Sequence, residues 1–368
     1  MGNYLKYQDI RKLHLEITSR CNAACPQCSR TAMGGDGINP NLTLKDWTAE
    51  DAEKFFPKDF LQQIESSWFC GNFGDAAANP KSFEVFKYFV ENSKMTLSIY
   101  TNGGIRNEEY WKELAILLKG GRGRVRFSID GLADTNHLYR KKTNFERIER
   151  NAKAFTNAGG NAVWDFIAFQ HNEHQIDEVK QTAKDWGFSN INIKLTSRFV
   201  NHNKAQDESK GKKSNQDDKR WGVEQPKDEK LQNKEVNELP KLLKKFDSFE
   251  DYLERTEISC KVIEEESIFV DFNGDLWPCC WIGDKVYREE QTRFVRNFRE
   301  AMEAYPKGFN SLHNNSLKDV MNHPYFAGDL EKSWTSDFNS KPMRLKVCAN
   351  TCGKDHRPLH KQHNVEKI

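Results

Sequence analysis

The sequence predicts an α/β fold, a partial (β/α)6 barrel of the TIM type followed by a small α+β domain with a β-hairpin. Three observations lead to this prediction. Short strand-like runs alternate with amphipathic helical patterns from Leu13 to about Thr196, which is typical of repeated βα units and a parallel sheet. Several of these runs alternate polar and apolar residues, and a charge-rich stretch separates them from an Asn-Gly hairpin.

Six strands and four intervening helices account for the first part of the chain. The predicted strands are Leu13–Thr18, Glu65–Cys70, Thr96–Thr101, Arg124–Ile129, Ala162–Phe169 and Asn190–Thr196. The helical patterns place apolar residues at three- or four-residue spacing, as a helix face packed on a sheet requires. They start near Phe83, Tyr110, Phe145 and Ile176. Six βα units are too few to close an eight-stranded barrel, so we expect an incomplete one.

Polar residues on the predicted strands indicate a polar interior. Arg126, Ser128 and Asp130 have the same parity on the fourth strand, so their side chains point to one face. A parallel strand that is buried on both faces reads as continuously apolar, so we expect this face to line a substrate cavity. Four charged residues are candidates to bind a polar substrate there or to pair with one another: Glu16, Arg126, Asp165 and Lys194.

Three segments are predicted along the chain: the barrel at 1–200, a charged insertion or linker with weak helix at 201–257, and a second domain at 258–368. Residues 201–240 carry 18 charged and 6 apolar or aromatic side chains, which favours a solvated linker or an arm that docks a substrate or partner. Further on, SIFVDF and DLWPCC flank Asn273 and Gly274. Asn-Gly favours a tight hairpin turn with positive φ at both residues.

The composition restricts the class of protein. The chain of 368 residues has 56 basic and 54 acidic side chains, so no overall field favours nucleic acid or an anionic membrane. The first residues lack the apolar run of a signal peptide, and no segment approaches the roughly 18 apolar residues of a membrane-spanning helix. We therefore expect a cytoplasmic protein. Nine cysteines in that compartment favour metal or redox chemistry over disulfides.

Three cysteines follow the first predicted strand within the stretch SRCNAACPQCSR. Cys21, Cys25 and Cys28 have the spacing Cys-x3-Cys-x2-Cys, and their place after a strand puts them at the rim where barrel enzymes build their sites. A zinc ion would require a fourth ligand nearby. A [4Fe–4S] cluster held by three cysteines would instead leave one iron open for another ligand. The triplet alone is compatible with both.

The triplet and three further segments resemble those of the radical S-adenosylmethionine (SAM) superfamily. The segments are GNFGDAAANP at 71–80, TNGG at 101–104 and SIDGLADTNHLYR at 128–140, each at the end of a predicted strand. The resemblance implies that Cys21, Cys25 and Cys28 bind a [4Fe–4S] cluster whose open iron is chelated by the amino and carboxylate groups of SAM. It also implies that the reduced cluster cleaves SAM to methionine and a 5′-deoxyadenosyl radical, which abstracts a hydrogen atom from the substrate.

The same resemblance implies which residues bind SAM. They are Gly74, Asp75, Thr101, Asn102, Ser128, Asp130 and Arg140. Two places depart from the family pattern. Gln27 stands where many members have an aromatic residue, so we expect contact with adenine to be weaker there or to be made by backbone. Asp75 and Ala76 replace Glu and Pro of the Gly-Gly-Glu-Pro segment, which shortens the acid beside the SAM amino group.

Four of the remaining cysteines resemble the ligands of an auxiliary cluster. Cys260 and Cys279 flank Gly274 as in the opening of twitch and SPASM domains, and Cys348 and Cys352 supply two more thiols. The resemblance implies a twitch domain with one auxiliary [4Fe–4S] cluster, because too few cysteines remain for the second cluster of a full SPASM module. A zinc site with four cysteines is the alternative.

Cys70 and Cys280 belong to neither set. Cys70 ends the second predicted strand just before the GNFGDAAANP segment, so its thiol is a candidate hydrogen donor to a substrate radical. A core residue is the alternative for both, because buried thiols are common in protein interiors.

By analogy with the family, the predicted function is SAM cleavage and hydrogen abstraction that modify a peptide or protein residue. A flavodoxin- or ferredoxin-type reductant is the expected partner. Oxidation or cyclisation of a small molecule is the close alternative, and an iron–sulfur protein that binds without turnover is a hypothesis from a different class.

Overall fold

A computed structural model describes residues 4–32, 37–196, 223–234, 241, 243–289, 291–355 and 363–367. The predicted charged stretch at 201–240 lies outside these residues except at 223–234. The chain forms two compact units, each made of three segments. The first unit comprises Met1–Arg20, Thr43–Ser98 and Asn237–Arg357, and the second comprises Cys21–Leu42, Ile99–Val236 and Pro358–Ile368.

The described strands follow the predicted order, with one addition at the end. They are β1 (Lys12–Leu15), β2 (Ser66–Phe69), β3 (Thr96–Thr101), β4 (Gly123–Ser128), β5 (Ala162–Ile167), β6 (Asn190–Lys194), β7 (Ser267–Val270), β8 (Leu276–Trp277) and β9 (His363–Lys367). All the predicted barrel strands are present, and β7 and β8 form the predicted hairpin. β9 was not predicted, because HNVEK contains a single apolar residue and shows no strand pattern.

The described α-helices are short and connect the strands. They are α1 (Ala49–Phe55), α2 (Lys58–Leu61), α3 (Ser82–Asn92), α4 (Glu108–Leu117), α5 (Asn136–Tyr139), α6 (Phe145–Asn157), α7 (Ile176–Asp185), α8 (Phe249–Arg255), α9 (Lys261–Glu265), α10 (Cys280–Tyr287), α11 (Arg293–Met302), α12 (Leu317–Asn322), α13 (Leu330–Lys332) and α14 (Lys346–Cys352). In the part of the chain that the structure describes, none of the helices is both long and apolar enough to cross a membrane.

In the first unit, β1 lies between β2 and β7 and runs parallel to both. β7 also pairs with β8 in the antiparallel direction. The hairpin therefore extends the sheet that contains β1. β1 ends at Leu15 and not at Thr18, because Ile17 and Ser19 form hydrogen bonds with the backbone of Trp47 and Lys45 instead.

In the second unit, β4, β5 and β6 are parallel neighbours, and β9 pairs with β6 in the antiparallel direction. The described strands of each unit form an open sheet that does not close on itself. This arrangement is what a partial barrel requires, and the predicted α/β class is correct.

Polar caps determine where several helices begin. Thr48 accepts the N–H of Asp51 at the start of α1, and the Asp51 carboxylate accepts the N–H of Thr48 in return. Asn107 and Asn144 cap α4 and α6 through one hydrogen bond each. These caps satisfy backbone N–H groups that the first helical turn leaves without partners.

Each unit has its own aromatic core. In the second unit, Trp111 of α4 and Phe127 of β4 are fully buried, with ring centroids 5.3 Å apart. In the first unit, Phe69 of β2 packs against Phe86 and Phe89 of α3 at centroid distances of 4.9 and 5.5 Å. The predicted helix faces therefore pack on the sheet as their spacing indicates.

The turn between β7 and β8 differs from the predicted Asn-Gly turn. The loop runs from Asp271 to Asp275, and the Oδ1 atom of Asp271 accepts the N–H groups of Asn273 and Asp275. Gly274 has a φ of +76°, whereas Asn273 does not have a positive φ. The hairpin was predicted correctly, but positive φ at both residues was wrong because the Asp271 carboxylate organises a longer loop.

We expect Gly274→Ala to destabilise the protein more than Gly308→Ala. Both glycines have left-handed φ values, +76° and +77°, so both variants carry a backbone cost of about 1–2 kcal/mol. A Cβ at Gly274 would lie 2.6 Å from Cζ of Phe55, whereas nothing lies within 4 Å of one at Gly308. Urea denaturation should therefore show an additional loss of about 1–3 kcal/mol in the free energy of unfolding for Gly274→Ala. Equal losses would contradict this steric argument.

Candidate active site

The predicted SAM-cluster set, Cys21, Cys25 and Cys28, lies in a loop of the second unit. The N–H of Cys28 donates to the carbonyl of Cys25 at 3.1 Å, and the hydroxyl of Thr31 donates to the same carbonyl at 2.8 Å. Cys25 is buried in an apolar cluster, and Cys21 and Cys28 pack against it. The other buried members of this cluster are Ala23, Tyr139, Ile167, Phe169 and Val223. The structure thus brings the three thiols into one apolar environment.

The TNGG segment contacts this loop through Asn102. The Nδ2 atom of Asn102 donates to Oδ1 of Asn22 at 2.8 Å and lies 3.6 Å from Sγ of Cys21. Asn22 in turn donates to the carbonyl of Gly104 at 3.1 Å. A Cβ at Gly104 would lie 2.9 Å from Oδ1 of Asn102 and 3.0 Å from Nδ2 of Asn22. Because the side-chain amides of Asn102 and Asn22 lie this close, position 104 has room for a glycine but not for a larger residue.

Asp130 and Arg140 form a buried ion pair beside the loop. The Nε atom of Arg140 donates to Oδ2 of Asp130 at 2.6 Å, and its Nη1 lies 3.8 Å from Sγ of Cys25. The side chain of Asp130 is 0% exposed, and its Oδ1 accepts the N–H of Ile167 at 2.7 Å. Asp130 therefore orients the guanidinium group toward the thiol. A direct contact between Asp130 and SAM stays a prediction.

Two other residues predicted to bind SAM lie at strand ends. Thr101 ends β3, and its hydroxyl accepts the N–H of Gly103 at 3.0 Å. Ser128 ends β4, is half-buried and stands opposite Asp165 of β5 in the sheet register. The contacts of Thr101 and Ser128 with SAM stay predictions.

The surroundings of the SAM-cluster set fit a [4Fe–4S] cluster. The N–H of Ala23 lies 3.4 Å from Sγ of Cys21, so this sulfur has both a backbone donor and the side chain of Asn102 near it. Arg140 places a positive charge near Cys25. Cluster-bound sulfurs carry negative charge, and hydrogen-bond donors around them stabilise that charge.

Glu16 organises the GNFGDAAANP loop of the first unit. Its Oε1 atom accepts the N–H of Phe73 at 2.6 Å and that of Gly74 at 3.0 Å. The residue is 2% exposed, and its Oε2 atom is buried without a hydrogen bond among the described residues. Burial raises the pKa of Glu16, against the opposing effect of the two N–H groups. The expectation that Glu16 pairs with the other charged candidates is wrong, because its carboxylate binds this loop.

Close packing also accounts for the small residues of this loop. A Cβ at Gly71 would clash with the Glu16 carboxylate, and one at Gly74 would clash with the carbonyl of Thr18. Asp75 is 6% exposed, and its Oδ1 accepts the N–H of Ala77 at 3.0 Å. The shortened acid thus caps the 3-10 helix that follows it. The roles of Gly74 and Asp75 in binding SAM stay predictions.

Asp165 binds two cations in the second unit. It accepts hydrogen bonds from Arg126 of β4 at 2.6 Å, from Lys194 of β6 at 2.9 Å and from Asn192 at 2.5 Å. Burial alone would raise the pKa of Asp165, but the charges of Lys194 and Arg126 lower it below its ordinary value. Of the two hypotheses for these charged candidates, pairing with one another is observed for Arg126, Asp165 and Lys194.

The predicted auxiliary set, Cys260, Cys279, Cys348 and Cys352, lines one cavity in the first unit. Cys260 precedes α9, Cys279 precedes α10, and Cys348 and Cys352 lie one turn apart on α14. The other side chains around the cavity are mainly apolar and include Val262, Ile282, Leu330 and Val347. The structure therefore brings together four thiols from three separate parts of the sequence.

The chemistry of the auxiliary set fits a metal cluster. Burial, followed by the charge of Cys352, raises the pKa of Cys260 to about 12. Burial also raises the pKa of Cys279 and of Cys348, and a metal removes this penalty because it binds the thiolate directly. Among the residues described, no three His, Cys, Asp or Glu side chains are arranged around a single metal ion. A [4Fe–4S] cluster does not require three protein ligands around one ion, because each thiolate binds a different iron.

The two cysteines outside these sets lie in the first unit. The carbonyl of Cys70 lies 2.6 Å from Nε2 of His14, and Asn72 donates to the carbonyl of Cys280 at 2.8 Å. Burial, followed by the charge of Cys70, raises the pKa of Cys280. The hydrogen-donor role of Cys70 stays a prediction, and so does the alternative that Cys70 and Cys280 are core residues.

Comparison with known proteins identifies the class. Residues 15–185 match the sequence family described as Radical SAM superfamily. The chain therefore carries a radical SAM domain, and the superfamily predicted from the cysteine motif is confirmed. Its members are enzymes that use a [4Fe–4S] cluster and SAM.

Two curated proteins share part of this sequence. The chain is 32% identical over 129 residues to the tungsten-containing aldehyde ferredoxin oxidoreductase cofactor-modifying protein of Pyrococcus furiosus, which is 35% of this chain and 33% of that protein. It is 28% identical over 115 residues to the FeMo cofactor biosynthesis protein NifB of Methanocaldococcus jannaschii, which is 30% of this chain and 38% of that protein. The matches thus span between 33% and 38% of each relative's own length.

A solved structure shares the fold over most of the chain. The crystal structure of Streptococcus suis SuiB bound to precursor peptide SuiA aligns with a TM-score of 0.55 at 16% identity, covering 95% of this chain and 73% of SuiB. At this identity the likeness concerns the fold alone.

Asp165→Asn is expected to lower the free energy of unfolding by about 3 kcal/mol near pH 7, because Arg126 and Lys194 lose their shared counter-charge. The pKa of Asp165 is lowered in the folded protein. Its stabilisation is therefore fully present above the ordinary aspartate pKa of about 4 and is lost as the pH falls below it. Urea denaturation at a series of pH values should show the two proteins converging in acid.

The matched control is Asp177→Asn, which removes an exposed carboxylate 3.9 Å from Lys180 and should change the stability by no measurable amount. A loss for Asp165→Asn that is the same at every pH would assign the effect to packing and not to charge.

Proposed function

We propose that this chain is a radical SAM enzyme that modifies a residue of a peptide or protein. The observation that carries the proposal is the SAM-cluster set within a radical SAM domain, with Asn102 and Arg140 directing N–H groups at two of its sulfurs. When bound, the cluster and SAM supply the 5′-deoxyadenosyl radical that abstracts a hydrogen atom from the substrate.

The chain's own residues would hold and orient these groups. The SAM-cluster set would bind three irons, and Asp130 would hold Arg140 in place to receive a carboxylate, for which a guanidinium group is well suited. Glu16 fixes the loop through Oε1.

We further propose that the auxiliary set binds a second [4Fe–4S] cluster in a twitch domain. Four thiols around one apolar cavity support full ligation. A fully ligated cluster has no open iron for a substrate, so its roles would be structural support and electron transfer. Turnover would begin with an electron from a flavodoxin- or ferredoxin-type protein in the cytoplasm.

The substrate class has support from two directions. A peptide is supported by SuiB, which was solved with a precursor peptide and shares the fold over 95% of this chain. The second candidate is a small molecule such as a cofactor or its precursor. It is favoured by the two curated relatives, whose names describe cofactor modification and cofactor biosynthesis.

Two matched sets of alanine variants distinguish the two clusters. In anaerobically reconstituted protein, replacing the SAM-cluster set is expected to abolish dithionite-dependent formation of 5′-deoxyadenosine from SAM. Replacing the auxiliary set should retain SAM cleavage and lower the iron content from about eight to about four atoms per chain. Wild-type protein that forms no 5′-deoxyadenosine, or that binds zinc in place of iron and sulfide, would contradict the proposal.

Comparative mass spectrometry should identify the substrate class. One host expresses the intact enzyme, and the control host expresses the variant whose SAM-cluster set is replaced by alanine. We expect a peptide whose mass or stereochemistry changes only with the intact enzyme. Solvent deuterium at a peptide α-carbon would indicate epimerisation through a thiol, with Cys70 or Cys280 as the donor. A changed small molecule without any changed peptide would favour the second candidate.

A further inference from the structure

Two basic side chains share one carboxylate on the sheet of the second unit. Arg126 donates to Asp165 at 2.6 Å, and Lys194 donates to it at 2.9 Å. Asn192 donates to the same carboxylate at 2.5 Å. The guanidinium carbon of Arg126 and the Nζ atom of Lys194 lie 5.1 and 5.9 Å from the ring centroid of Tyr100, within the range of cation–π attraction. Together these residues form the Asp165 cluster.

The Asp165 cluster lies on the face of the sheet that points away from the helices. On the opposite face, Phe127 of β4 and Trp164 of β5 pack against aromatic side chains of the helical layer. Successive side chains of a strand point to opposite faces, so Arg126 and Asp165 point away from that layer. Lys194 shares their face, because its Nζ atom contacts Asp165. The cluster is therefore separate from the apolar core between sheet and helices.

The charges of the Asp165 cluster do not cancel. Two positive side chains and one negative side chain leave a net charge of +1. Burial raises the pKa of Asp165, but the charges of Lys194 and Arg126 lower it below its ordinary value, so this carboxylate is ionised near pH 7. In the described part of the chain, Lys194 has no other carboxylate within ion-pair distance. The next acid on this face of β4, Asp130, is already paired with Arg140 at 2.6 Å.

The two cations are accessible to a ligand, whereas the carboxylate is not. The side chains of Arg126 and Lys194 are 17% and 22% exposed, but that of Asp165 is only 1% exposed. The excess positive charge therefore lies at the accessible side of the cluster. A largely buried charge without a counter-charge is costly, and an anion that binds there removes this cost.

The Asp165 cluster stands next to a residue that is predicted to bind SAM. Ser128 of β4 is opposite Asp165 of β5 in the sheet register, and paired strands lie about 4.8 Å apart. Ser128 and Lys194 are the last residues of β4 and β6. The carboxyl ends of parallel strands are where such sheets bind ligands. An anion bound by the cluster would therefore lie beside the expected position of SAM.

On the basis of the proposed function, we infer that Arg126 and Lys194 bind a carboxylate group of the substrate. A carboxylate carries one negative charge and neutralises the net charge of the cluster, whereas a phosphate monoester brings a charge of about −2. Asp165 is a positioning residue that holds both cations. The substrate peptide would present an acidic side chain or its C-terminal carboxylate here, apart from the SAM carboxylate that Arg140 is proposed to receive.

The probe for this site is trifluoroacetate, a carboxylate whose weak binding is detected by fluorine NMR relaxation. In the full chain, reconstituted anaerobically, Lys194→Gln should weaken trifluoroacetate binding by about tenfold or more, because a charged donor is lost and the cluster becomes neutral. Lys194→Arg keeps the charge and should retain binding. Trifluoroacetamide has a similar shape but no charge, and it should not bind to the wild-type protein or to either variant.

The matched control is Lys153→Gln, which should bind trifluoroacetate as the wild-type protein does. Lys153 also has one carboxylate partner and one aromatic neighbour, Glu149 at 2.6 Å and the ring of Trp186 at 5.6 Å. Its charge is balanced by Glu149, so it leaves no excess for an anion. Circular dichroism should show that the glutamine variants are folded. Arg126→Gln leaves Asp165 paired with Lys194 and gives an independent version of the same comparison.

The outcomes separate this inference from the proposed function. The carboxylate site would be overturned if the wild-type protein bound no trifluoroacetate, or if Lys194→Gln and Lys153→Gln bound it equally well. Displacement of trifluoroacetate by SAM would assign the site to the SAM carboxylate, and tighter binding of inorganic phosphate would assign it to a different anion. A wild-type protein that binds trifluoroacetate through Lys194 but forms no 5′-deoxyadenosine would overturn the proposed function and not the site.

Discussion

The constraint on which this structure depends is that several thiols must lie close together without forming disulfides. All the cysteines are free, although the auxiliary set lines a single cavity. The backbone keeps these thiols separate because Cys260 and Cys279 precede different helices, and Cys348 and Cys352 share a third. Each thiol is therefore fixed by a rigid element and not by its neighbour.

The SAM-cluster set meets the same constraint differently. Its three cysteines lie in one loop, so local elements cannot separate them in the way that three helices separate the auxiliary set. Side chains from other strands take this role: Asn102 follows β3, and Arg140 is held by Asp130 after β4. Asn102 and Arg140 approach the loop from outside it, whereas the thiols of the auxiliary set are positioned by the helices that carry or follow them.

Much of this arrangement could be predicted from the sequence. The βα alternation predicted the strands because a periodic pattern is local, and the resemblance to the radical SAM superfamily grouped the cysteines into two sets, each of which the structure gathers in one place. The contact of Glu16 with the N–H groups of Phe73 and Gly74 could not be predicted, because nothing in the sequence near Glu16 indicates it.

The departures from the family pattern in the GNFGDAAANP loop have a physical explanation. Asp75 stands where the family pattern has Glu, and its carboxylate accepts the N–H of Ala77 at the start of a 3-10 helix. The shape of the loop then depends on Glu16. Gly71 leaves space for the Glu16 side chain, and Gly74 leaves space for the carbonyl of Thr18.

The parallel pairing of β7 with β1 means that the region after Cys260 is not a detachable module. Every residue of β1 is matched by one of β7, from Lys12 opposite Ser267 to Leu15 opposite Val270. A chain shortened to the radical SAM domain would expose this side of β1 as an unpaired apolar edge, which is a template for association with other chains. Such a fragment would need a strand from elsewhere to cover this edge and remain monomeric. Changes to the C-terminal region during evolution would therefore have to keep β7, even where the residues after it differ.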